Sequence, residues 1–212
     1  MDFLKKLGFS EETIDLVRDV VVQNKKGEIF FPFSFLRQHT KNSGELLFID
    51  RKVIRSNDGL FLIEPEKDSI KLNTYYFDTV LSMLCFYEYN NKNLFQNSLF
   101  IVIPIVPQFN SISILIDKFK YSIKNTFVFP NDLTGSCQEI LLASYINANY
   151  ELSIKIHEEN LVVSKQKIIF SYPLNKLNIK QVLSDLNFGT NITTRKPKGF
   201  KSYTNKFYYN GK

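Results

Sequence analysis

Residues 125–149, NTFVFPNDLTGSCQEILLASYINAN, hold the spacing in this chain that could do chemistry. Thr126 to Phe129 is a β-branched and aromatic run, the mark of a buried strand. Pro130 cannot supply an amide to a ladder, so the strand stops there. Asn131, Asp132, Thr134 and Gly135 make a polar turn that can cap a helix. Ile140, Leu141, Ser144, Tyr145 and Ala148 then recur at helical spacing. A strand running through a polar loop into a helix is where ligands and metals gather at the carboxyl ends of parallel sheets. A second such junction falls at Asp78, which stands between the strand of residues 70–77 and a helix marked by Val80, Leu81, Leu84 and Cys85. The plainest reading of Asp78 and Asp132 is that each caps its helix, a role Asp fills in any fold.

The other candidate chemistry is at the C-terminus. The chain carries 27 Lys and Arg against 21 Asp and Glu, a net charge of +6. Residues 190–212 contain Arg195, Lys196, Lys198, Lys201, Lys206 and Lys212 and no acid, so the whole excess sits there. Phe200, Tyr203, Phe207, Tyr208 and Tyr209 are interleaved with these cations. Cations mixed with rings suit phosphates and unstacked bases. They also suit a solubilising tail, or one whose rings dock on the protein itself.

The elements that must position these residues follow from period and punctuation. With 212 residues and 44% hydrophobic content the chain can bury one sizeable core, with or without a small appended unit. Ser10 caps a predicted helix that runs through Ile14, Val17 and Val21 to about Gln23. From residue 28 to 65 the text turns to strands, EIFFPFSF, ELLFIDRKVIR and GLFLIEP, with Asn42-Ser43-Gly44 and Asn57-Asp58-Gly59 as turns. Beyond residue 70, strands at 70–77, 99–103, 126–129 and 152–156 alternate with helices. One helix is marked by Ile112, Leu115, Ile116, Phe119 and Ile123, and the last is capped by Asn178. Further strand is expected within 161–172. That alternation predicts an α/β fold with a mainly parallel sheet flanked by helices and a small β-rich N-terminal extension. The expected divisions are 1–66, an N-terminal helix and β-rich lead-in; 67–189, the α/β domain; and 190–212, the basic aromatic tail.

Several function classes drop out. No apolar run approaches the roughly 20 residues that span a bilayer, and the N-terminus has no signal-peptide pattern, so a soluble cytoplasmic protein without membrane contact is expected. Cys85 and Cys137 lack metal or redox spacing and read as small buried side chains. His39 and His157 read as surface histidines. No GxSxG, Walker A, HExxH or GxGxxG motif occurs.

The order strand, FDTVLSMLCFY (residues 77–87), strand, helix, strand, FPNDLTG (residues 129–135), helix resembles the Toprim domain of bacterial primases, topoisomerases and some nucleases. It is most similar to the Toprim-like proteins carried on bacterial mobile elements beside primase and mobilisation genes, over residues 28–188. In that family carboxylates at neighbouring strand ends hold Mg²⁺ for phosphoryl chemistry. Carried over by position, the family's first-strand Glu falls on Asp78 and its following Asp on Ser82. The first Asp of the second motif falls on Pro130, its second on Asp132 and its Gly on Gly135. The prolines Pro104 and Pro107 stand where related proteins have small residues that approach phosphate.

The resemblance therefore implies a Toprim-like domain that has lost most metal ligands. Its expected role is a nucleic-acid-associated accessory in replication or mobilisation of a mobile element, probing DNA or RNA with Arg195, Lys196, Lys198, Lys201, Phe200 and Tyr203, and with a relaxase or primase protein as partner. No cofactor is expected in that reading. One alternative is a Mg²⁺-dependent nuclease or primase component using Asp78 and Asp132 as metal ligands and catalytic groups. The other is a protein-interaction module without nucleic-acid contact.

Overall fold

Runs that are apolar at every position become the middle of a sheet covered on both faces, and runs that alternate become sheets covered on one. The computed structural model describes residues 2–24, 28–35, 38–48, 52–56, 59–65, 72–103, 124–147, 151–189 and 191–210. In chain order the elements begin with helices α1 (Asp2–Lys6) and α2 (Glu11–Asp15). Strands β1 (Val22–Gln23), β2 (Ile29–Phe35), β3 (Gln38–Leu47), β4 (Lys52–Ser56), β5 (Phe61–Ile63) and β6 (Asn73–Phe77) follow. Next come helix α3 (Val80–Tyr89), strands β7 (Ser98–Val102) and β8 (Lys124–Val128), and helix α4 (Leu133–Ile146). The chain ends with strands β9 (Leu152–His157), β10 (Asn160–Lys165) and β11 (Ile168–Pro173), helix α5 (Ile179–Asp185), strand β12 (Ile192–Thr194) and helix α6 (Tyr203–Asn210).

The central sheet has five strands in the order β12-β8-β6-β7-β5. β12, β8, β6 and β7 are parallel, and β5 closes the other edge antiparallel to β7. Alternation along β6 divides the core. Tyr75 and Phe77 join one apolar cluster, and Tyr76 joins the other. Phe77, Phe100 and Phe127 have no exposed surface, and burying a ring of that size contributes about 2–3 kcal/mol. The first cluster draws in α1, α2, α3, β2 and Phe207 of α6. The second draws in α4, α5 and the sheet of β9 to β11. Helices therefore cover both faces.

Several expectations change. The helix predicted from Ser10 to Gln23 ends at Asp15, although Ser10 does cap it and Val22–Gln23 pairs as β1. Asn42-Ser43-Gly44 is no turn. It lies inside β3, where the register shifts beside Gly44. A Cβ at Gly44 would come within 2.4 Å of the Phe31 carbonyl oxygen, so only glycine allows that approach. The 45–55 run is two paired strands, β3 and β4, instead of one.

Residues 152–156 do not enter the parallel sheet. They form β9 of a separate antiparallel sheet, order β11-β10-β9, because β9 and β11 are covered on one face only. The central sheet draws strands from both sides of the expected divisions at 66 and 189. β5, from the expected lead-in, and β12, from the expected tail, are the two edges of the central sheet. The helix expected through Ile112 and Ile123, the prolines Pro104 and Pro107, and Asn57-Asp58 lie outside the described residues.

Candidate nucleic-acid interface at the strand ends

Because β12, β8, β6 and β7 are parallel, their carboxyl ends share one edge. The helix after β6, α3, packs on one face of the sheet, while the helix after the neighbouring β8, α4, packs on the other. Such a reversal between adjacent strands opens a crevice at their carboxyl ends, the usual ligand position in open α/β sheets. Phe77 pairs with Val128 in register, so Asp78 and the residues 129–132 leave the sheet side by side.

Asp78 is half-buried, but it does not cap α3 as expected. Thr79 does, its Oγ1 accepting from the Ser82 amide at 3.1 Å. Two further amides of that end are taken by a residue from a different sheet. Glu45 of β3, fully buried, accepts from Val80 at 2.7 Å through Oε2 and from Leu81 at 3.3 Å through Oε1. An anion from within the chain thus sits where the helix dipole would attract a phosphate. Ser82, on which the expected resemblance placed a carboxylate, is buried with its Oγ between Thr79 Oγ1 (2.9 Å) and Thr204 Oγ1 (3.3 Å).

Asp132 is exposed and caps α4, its Oδ1 accepting from the Gly135 amide at 2.8 Å. A Cβ at Gly135 would lie 2.1 Å from the Pro130 carbonyl oxygen, so the turn closes only over glycine. Residues 195–201 cross this junction. The Arg195 amide donates to Phe127 O at 2.8 Å, and the Asn131 amide donates to Lys201 O at 2.6 Å.

The six expected contact residues separate here. Lys198 and Lys201 are exposed, and Arg195 and Phe200 are half-buried. Lys196 turns inward: its Nζ lies 2.6 Å from Glu139 Oε1 and donates to Pro130 O at 2.9 Å and Phe129 O at 3.1 Å. Tyr203 also turns inward, its ring meeting Phe86 edge-on at 4.9 Å. Phe200 has an exposed neighbour that sequence reasoning did not single out, Tyr209, at 5.4 Å between ring centroids.

Glu139 was also missed. Desolvation pushes its carboxyl up to about 7, against the pull of the Lys196 charge. The signal was available: Glu139, Ala143 and Ile146 stand at i, i+4 and i+7, a carboxylate on an apolar stripe. Glu45 gave no local signal, since its partners are 35 and 36 residues away. Among the described residues no group of three or more His, Cys, Asp or Glu is placed to hold a metal ion, and no helix is long and apolar enough to cross a membrane.

A mostly parallel five-stranded sheet, helices on both faces and a reversal between β6 and β8 define a mixed α/β fold of the primase-like kind. Among solved structures the chain is similar to the crystal structure of the primase fragment of the bacteriophage T7 primase-helicase protein. The TM-score is 0.52 at 11% sequence identity, over 98% of this chain and 69% of that one. No family model matches, and no curated protein matches.

Proposed function

We propose that this protein is a nucleic-acid-associated accessory built on a degenerate Toprim-like domain, serving replication or mobilisation of a mobile element beside a relaxase or primase protein. One observation carries the reading. On a primase-like fold, the segment that crosses the strand ends presents Lys198 and Lys201 to solvent on a backbone tied to β8. Phosphates would meet these two lysines and Arg195, and unstacked bases would meet Phe200 and Tyr209. Lys196 and Tyr203 serve this surface by holding its backbone in place.

Mg²⁺ chemistry fits the strand ends poorly. Asp132 is engaged as a cap, the neighbouring carbonyls Phe129 O and Pro130 O already face an ammonium, and Pro130 offers no side-chain ligand. A second reading, a Mg²⁺-dependent nuclease or primase component, draws support from the side-by-side exit of Asp78 and the Asp132 loop from paired strands. Under it, Asp132→Asn would abolish a divalent-ion-dependent cleavage or priming activity.

The first reading is tested by titrating labelled single- and double-stranded DNA and RNA at several salt concentrations. The double variant Lys198→Ala/Lys201→Ala is expected to bind more weakly and to lower the salt slope by about 2, roughly one unit per lost phosphate contact. No binding at micromolar protein, or an unchanged slope in a folded double variant, would discard the proposal.

A further inference from the structure

We infer that Lys196 is a tethered cation, its ammonium filling an oxygen-lined position at the carboxyl end of β8 that takes a hard metal ion once the lysine is removed. Three oxygens converge on the Nζ: Glu139 Oε1 at 2.6 Å, Pro130 O at 2.9 Å and Phe129 O at 3.1 Å. Two successive main-chain carbonyls and a carboxylate are the donor chemistry of Ca²⁺ and Mg²⁺ sites. An ammonium can serve the same oxygens as a compact charge with three donors.

The arrangement is built into the fold and is not a surface encounter. The Glu139 side chain has no exposed surface, and that of Lys196 keeps 22%. Glu139 Oε2 has no hydrogen-bond partner among the described residues, which leaves an acceptor for an incoming cation or its water. The lysine is delivered by backbone on either side: Arg195 N bonds to Phe127 O, and Pro197 is buried. β12, α4 and the turn after β8 therefore meet at one charge. A metal ion could join them equally well, but it would make the junction depend on metal supply. A covalently attached cation removes that dependence.

The proposal concerns the order of the junction, and its test uses no nucleic acid, so it stands or falls apart from the binding function. Melting midpoints are measured at constant ionic strength with chelator, with millimolar Ca²⁺, Mg²⁺ or Mn²⁺, and with ethylammonium. The wild-type midpoint is expected to be the same in all of them. At pH 8, Lys196→Ala is expected to fall by about 10 °C, the scale of a broken buried ion pair in a chain of this size. It should recover several degrees with a divalent ion or ethylammonium. Lys196→Ala/Glu139→Gln should recover nothing.

If Lys196→Ala fails to fold in chelator, folding on addition of any of these cations supports the proposal, and failure with all of them overturns it. Lys196→Met keeps the apolar stem without the charge. A Lys196→Met midpoint equal to wild type would overturn the proposal, as would a divalent-ion response of the wild-type protein.

Discussion

Glu45 Oε2 lies 2.7 Å from the Val80 amide nitrogen, so a carboxylate from β3 of one sheet closes the N-terminus of the helix that leaves the other. The same end of the central sheet carries an internal anion at α3 and an internal cation at β8. Both positions are thus occupied by side chains of the chain itself.

Removing the Glu45 carboxylate leaves two buried amides without an acceptor. Glu45→Ala is expected to cost about 2–4 kcal/mol, the scale of stranding buried partners of a charged group. Glu45→Gln should retain part of this, since its amide oxygen can still accept. Denaturant unfolding of both variants checks it, and equal stability of Glu45→Ala and wild type would contradict the role.

Glu139 gives a pH dependence of definite sign. Its carboxyl titrates near 7 in the folded protein against 4.5 for the ordinary group, so the folded state binds the proton more tightly. The stability from that proton is fully present below pH 4.5 and is lost as pH rises through about 7. The loss is of order 3 kcal/mol by the conversion of pKa shift to free energy. Unfolding free energies measured from pH 4 to 8 should therefore decline in wild type relative to Glu139→Gln. Parallel profiles would refute the shift.

The turn after β8 depends on glycine. Gly135→Ala would drive a methyl group against the Pro130 carbonyl, which is backbone and cannot swing aside. A loss of about 1–3 kcal/mol is expected, the usual scale of overpacking. Asp132→Ala, by comparison, should cost about 1 kcal/mol as the loss of a cap. Paired thermal melts rank the two.

The C-terminus behaves as core. The Phe207 ring is buried and stacks on Phe9 with centroids 4.4 Å apart. Phe207→Ala is expected to cost about 3–5 kcal/mol. Deleting residues 190–212 removes an edge strand and this ring together, so circular dichroism should report an unfolded chain. A truncated protein with wild-type melting would show the segment to be an appendage after all.

The local parts of this fold were legible in the residues. Ser10, Asp132 and Asn178 cap the helices they were expected to cap, and the strands at 73–77, 98–102 and 124–128 lie within or beside the expected runs. These features depend on neighbours a few positions away, which spacing and residue type specify. The hairpins joining β9, β10 and β11 were missed because their two-residue turns use Glu158-Glu159 and Gln166-Lys167. Glu158 and Gln166 adopt positive φ, 53° and 56°, without the Asn-Gly or Asp-Gly pair that usually announces such a turn.

By itself, then, the sequence determined where several of the strands and helices begin, which of their faces are apolar, and that the charge excess lies at one end. Only the tertiary structure decided which strands pair, and with that the site. β12, three residues long, joins the parallel sheet that the longer β9 was expected to join. Lys196 reaches Glu139 across 57 positions, and Glu45 reaches Val80 across 35. Local spacing carries no record of such pairs. They are selected because a buried charge must find an opposite charge or a row of amides, and only the closed fold brings one within reach.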